Sequence, residues 1–106
     1  MARALINVPA TARKGEAVEI KVLIQHPMET GFRTGADGKL IPRDIIQRFS
    51  CTYAGQEVFA ADLFPAVAAN PFFSFFTVAT ESGQLVFKWT DNAGKEESQT
   101  ADIAVT

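Results

Sequence analysis

The chain has 106 residues, ten of them Lys or Arg and twelve Asp or Glu, for a formal charge of −2. That length is one domain, residues 1–106, and 47% apolar content is enough to fill a core. One cysteine and one histidine exclude a disulfide framework, a Cys/His zinc site and a blue-copper set, and a pI near 5.3 argues against a nucleic-acid surface. No cofactor, metal or nucleic-acid partner is expected. Residues 1–9 show no apolar h-region of a signal peptide. No apolar run nears the ~20 residues of a membrane helix, so no membrane partner is expected either.

In chain order, the first strand is expected over residues 3–8, stopped by Pro9. Residues 18–26 alternate, with Val18, Ile20, Val22, Ile24 and His26 on one face and Glu19, Lys21, Leu23 and Gln25 on the other. That is a half-buried strand. Residues 27–44 are too long for an ordinary sandwich connection, and Ala36-Asp37-Gly38 at their middle predicts a small protruding hairpin. Residues 45–53 place Phe49, Cys51 and Tyr53 on one face, and Tyr53-Ala54-Gly55-Gln56 is a tight turn into a strand at 56–61. Residues 62–70 hold one helical turn at most. A strand at 72–80 precedes another at 84–90, where Leu85, Phe87 and Trp89 share a face. Asp91-Asn92-Ala93-Gly94 is a short loop, and Ile103 and Val105 alternate near the end. About seven antiparallel strands predict an all-β, immunoglobulin-like sandwich.

Few residues could carry chemistry. Cys51 needs a lowered pKa and access to act as a nucleophile, but it shares parity with Phe49 and Tyr53 and is expected in the core. His26 has no nucleophile or second histidine nearby, so a hydrogen-bonded rim residue that fixes the next loop is the stronger reading. Glu29, beside the hairpin, is read as unpaired. Arg33, Lys39 and Arg43 on the hairpin could meet an acidic partner or serve only solubility. The aromatic strand stands apart, because four of nine phenylalanines lie within residues 72–76. Phe72, Phe76 and Val78 share one face, and Phe73 and Phe75 the other. A two-layer sandwich has only one interior face per sheet, and an uncovered Phe73/Phe75 face is read as a partner interface. The interface candidates are Phe72, Phe73, Phe75 and Phe76, with Phe32 and Arg33 on the hairpin.

The segment Ile20-Lys21-Val22-Leu23-Ile24-Gln25-His26-Pro27-Met28-Glu29-Thr30-Gly31-Phe32-Arg33 resembles the SoxZ family, the Z subunit of the SoxYZ thiosulfate-oxidation carrier complex. Ile41-Pro42-Arg43-Asp44-Ile45-Ile46 and residues 65–83, with Ala68-Ala69-Asn70-Pro71 at their centre, resemble it as well. The resemblance runs from about residue 5 to the end, with Phe73 standing where an aliphatic residue is expected. It implies a non-catalytic, periplasmic subunit that pairs with the Y subunit, whose C-terminal cysteine holds sulfur intermediates covalently. Other Sox enzymes would meet the pair transiently. The sequence ends Ala101-Asp102-Ile103-Ala104-Val105-Thr106 without a Gly-Gly-Cys arm, so the carrier thiol is expected on Y. Z-type subunits are expected to be exported together with Y, which explains a start without a signal pattern. The isolated chain is expected to self-associate. Two alternatives stay open on the residues alone: a generic interaction module, or a thiol carrier acting through Cys51.

Overall fold

The structure, a computed structural model, describes residues 3–106. Met1 and Ala2, at the start read for a leader, lie outside them. Eight strands form two sheets: β1 (Arg3–Asn7), β2 (Thr11–Ala12), β3 (Ala17–Gln25), β4 (Ile46–Tyr53), β5 (Gln56–Asp62), β6 (Phe72–Val78), β7 (Gly83–Asp91) and β8 (Glu96–Val105). The three-stranded sheet has the order β1-β3-β6, and the five-stranded sheet β2-β8-β7-β4-β5. This is the expected immunoglobulin-like sandwich with one more strand than the sequence patterning indicates.

The extra strand is β2. Two residues cannot display a period, and Pro9 interrupts the run, so nothing in the pattern announces it. After β1 the chain crosses to the opposite sheet, where Thr11 and Ala12 pair in parallel with Ala104 and Val105 of β8. Lys14 N–H to Thr106 O, at 3.1 Å, and Thr106 N–H to Ala12 O, at 3.0 Å, extend that seam. β8 also begins earlier than the Ile103/Val105 alternation suggests. Its first half, Glu96 to Thr100, is polar on both faces, yet it pairs with β7 along its whole length.

The core follows the predicted parities. Val18, Ile20, Val22 and Ile24 of β3 face Phe49 and Cys51 of β4 and Leu85, Phe87 and Trp89 of β7, all buried. β-branched and aromatic residues at alternate positions suit a pleated half-buried surface. Residues 53–56 form the two-residue turn, with Ala54 and Gly55 both at positive φ (50° and 83°), as a primed hairpin turn requires. Asp91 closes the β7–β8 loop, its Oδ1 accepting from Ala93 N–H and Lys95 N–H at 2.9 Å each.

The predicted hairpin is present. Antiparallel bridges join Glu29 to Asp44 and Thr34 to Leu40. At its tip Asp37 Oδ1 accepts from Lys39 N–H at 3.0 Å, beside Gly38 at φ 77°. Its base is held by Asn92, whose Oδ1 accepts from Ile45 N–H at 2.8 Å and whose Nδ2 donates to Arg43 O at 3.1 Å.

Candidate functional site

The two faces of β6 are reversed relative to the sequence expectation. Phe75 is 8% exposed and Phe73 is half-buried, because both point between the sheets. Phe73 stacks on Phe49 with ring centroids 4.4 Å apart, and Phe75 stacks on Phe59 at 4.4 Å. β4 and β5 of the facing sheet supply those rings, so this face is core and is already covered by the chain itself. The open face carries Phe72, 57% exposed, Phe76, 65% exposed, and Val78. Leu5 and Leu23 lie in register with Phe72 across the sheet, giving an apolar row over all three strands. Ser74 sits among these outward residues and donates to Glu19 Oε2 at 2.9 Å. A polar residue on that parity was the signal for the outward face.

The hairpin candidates are engaged rather than free. Arg33 forms a two-pronged pair with Glu29, Nη2 to Oε1 at 2.5 Å and Nε to Oε2 at 3.4 Å. Glu29 is therefore paired, against the expectation. Hydrogen bonding by Arg33 holds the Glu29 carboxyl below its usual 4.5, although partial burial opposes this. The same bond raises Arg33. Arg43 donates from Nε to Thr30 O at 2.6 Å and lays its guanidinium over the Phe32 ring, 5.0 Å from the centroid. Phe32 remains 73% exposed. Two of the three hairpin cations thus brace the hairpin instead of waiting for an acidic partner.

His26 takes the rim role read from the sequence. Its Nδ1 accepts from Met28 N–H at 3.0 Å, which puts the proton of the neutral ring on Nε2, 3.3 Å from Asp44 Oδ1. Its backbone N–H donates to Asn70 Oδ1 at 3.1 Å, and its carbonyl accepts from Asn70 N–H at 2.8 Å. Met28 and Asn70 both sit in the left-handed region, at φ 51° and 56°. The His-Pro-Met and Ala-Asn-Pro motifs, 44 residues apart, are therefore two halves of one junction at the end of the sandwich. A cleft of about 290 Å³ opens there between His26, Asp44, Trp89, Lys95 and Glu97. Trp89 Nε1 is buried without a hydrogen-bond partner among the described residues.

Cys51 is fully buried between its cross-strand neighbours Phe59 and Phe87. Burial pushes its thiol up to about 12. Among the described residues no cation or helix N-terminus offsets this, so the thiolate needed for sulfur chemistry is suppressed. Among the described residues no cluster of three or more His, Cys, Asp or Glu side chains could hold a metal ion.

Residues 6–102 match the family described as sulphur oxidation protein SoxZ. The chain belongs to the SoxZ family. No curated protein matches the sequence. Among solved structures, a superoxide reductase (neelaredoxin) from Ignicoccus hospitalis aligns with a TM-score of 0.75 at 17% identity, over 97% of this chain and 79% of that one. A putative superoxide reductase from Thermotoga maritima gives 0.74 at 18% identity, over 97% and 85%. The sulfur carrier protein SoxY from Chlorobium limicola f thiosulfatophilum gives 0.70 at 18% identity, over 97% and 78%. At these identities the likeness is one of fold. A SoxZ-family chain and a SoxY chain are thus built on the same sandwich.

Proposed function

We propose that this chain is the non-catalytic Z-type subunit of a periplasmic sulfur-carrier complex in thiosulfate oxidation. It pairs with a Y-type subunit whose C-terminal cysteine carries the sulfur, and other Sox enzymes meet the pair in passing. Membership of the SoxZ family carries this reading. Two properties of the chain support it: its one thiol is buried and held protonated, and its exposed aromatic strip lies on β6. Covering what remains exposed of Phe72 and Phe76 would contribute roughly 2–4 kcal/mol before association costs, enough to matter in a stable complex. The alternative in which Cys51 carries sulfur is disfavoured by that burial.

Co-expression with a Y-type subunit tests the reading. A 1:1 complex is expected, and Phe72→Asp and Phe76→Asp should weaken it by more than they destabilise the isolated chain, the second losing some melting temperature because Asp there stands opposite Glu19. Phe75→Ala, the core counterpart, should instead lower stability by about 3–5 kcal/mol. A stable monomer that ignores Y-type subunits would favour a generic interaction module, and normal pairing by both aspartate variants would remove β6 from the interface.

A further inference from the structure

The edges of the two sheets are not protected alike. β1 has five residues, starts at Arg3, and passes over Pro9 into the opposite sheet. β2 is two residues long, and beyond it the open side of β8 carries Glu96, Glu97 and Asp102. β5 carries Glu57 and Asp62, both bridged by Arg48 at 3.6 and 2.9 Å, and its ladder with β4 shifts register between Cys51 and Thr52. Shortness, charge and a bulge are the ordinary means of blunting an edge. β6 has none of them. Phe72–Val78 is seven residues without charge or proline, in unbroken register with β3.

The backbone of β6 is oriented to accept another strand. Ile24 N–H donates to Pro71 O at 2.9 Å, and Ala79 N–H donates to Glu16 O at 2.8 Å. In an antiparallel ladder the bonded residues alternate, so the odd-numbered residues of β6 face β3. The N–H and C=O groups of Phe72, Ser74, Phe76 and Val78 therefore point to the open side, where no strand pairs with them among the described residues. Three of these four also carry the exposed apolar side chains. Beneath that edge a groove of about 480 Å³ is lined by Tyr53, Val58, Phe76 and Val78 together with the carboxylates Glu57 and Glu81. A strand laid beside β6 would put its inward side chains into this groove.

We infer that the Y-type subunit docks by strand addition, its own edge strand pairing antiparallel with β6 so that the three-stranded sheet continues into the partner. This rests on the proposed partnership. The choice of occupant comes from the shared fold: the SoxY structure spans 97% of this chain, so such a subunit presents a strand at the place of β6. Two like edges related by an approximate twofold meet antiparallel.

Residue-resolved amide exchange of the labelled chain, free and bound to an unlabelled Y-type subunit, tests this. The amides of Phe72, Ser74, Phe76 and Val78 should exchange fast when free and at least ~100-fold slower in the complex, while those of Phe73, Phe75 and Thr77 are slow in both. Ser74→Pro, which removes an edge N–H that β3 does not use, should abolish the complex at an unchanged melting temperature, and Ser74→Ala should pair normally. A complex that leaves the four even-numbered amides fast means face-on packing and overturns the inference while sparing the partnership. Absence of any complex overturns the partnership itself. Protection already present in the free chain, with a dimer mass at the same dilution, assigns the edge to a second copy and equally overturns it.

Discussion

The thiol of Cys51 offers a quantitative test of the division of labour between subunits. At about pH 8 a cysteine with the ordinary value of 9.0 is about one-tenth thiolate, whereas one at about 12 is thiolate in about one molecule in ten thousand. Ionisation alone should therefore slow alkylation of the native chain roughly 1,000-fold relative to the unfolded chain. Enclosure by Phe59 and Phe87 adds to this, because no reagent reaches the sulfur until the sandwich opens. The assay is iodoacetamide labelling with and without denaturant, followed by intact mass. A native rate within about tenfold of the unfolded one would refute the reasoning and restore Cys51 as a candidate carrier. Linkage gives a second readout with a definite sign. The folded-state value is raised, so the neutral thiol stabilises fully below 9.0, and stability is lost as pH climbs from 9.0 toward about 12, where the unfolded thiol ionises first. Cys51→Ala should flatten that limb of the stability profile.

Tyr53 and the hairpin give further expectations. Tyr53 Oη donates to Glu81 O and accepts from Thr80 N–H at 3.2 Å and Glu81 N–H at 3.1 Å, tying the β4–β5 turn to the β6–β7 connection. Tyr53→Phe strands those backbone groups and should cost about 1–3 kcal/mol in chemical denaturation, with exchange at Thr80 and Glu81 accelerating first. A neutral substitution would mean that water takes over all three bonds. The lowered Glu29 value predicts that the Arg33 pair is present above 4.5 and lost as pH falls below it. Carbon-detected titration of Glu29 should show a midpoint under 4.5 that rises toward 4.5 in Arg33→Gln.

Most of the sandwich was legible because its strands alternate cleanly. β3, β7 and β4 from Phe49 onward place apolar residues on one parity, and those residues are buried, whereas Ile46 is buried on the other parity because the ladder shifts register between it and Arg48. β6 was legible as a strand but not as to its faces, since phenylalanines occupy both parities. Which pair turns inward depends on Phe49 and Phe59 from the other sheet, partners far away in sequence, and Ser74 was the single local hint. Parity also placed Cys51 and His26 correctly. It could not show that Asn70 secures both backbone groups of His26, because that junction joins loops 44 residues apart. The hairpin cations were visible as charges, but their partners, Glu29 and the Phe32 ring, emerge only when the two arms lie side by side.

The crossing of the chain from β1 to β2 bears on stoichiometry. Thr11 and Ala12 pair only with Ala104 and Val105, so Glu96 to Ile103 of β8 keep an open side, guarded by Glu96, Glu97 and Asp102. Growth by strand templating needs a receptive border on each side, so that every added subunit recruits the next. Among the described residues β6 is the one open-sided strand that is both long and free of charge. Under the proposed strand addition such a molecule finishes a sheet begun by a neighbour without passing the pattern on, which favours a closed pair over a fibre.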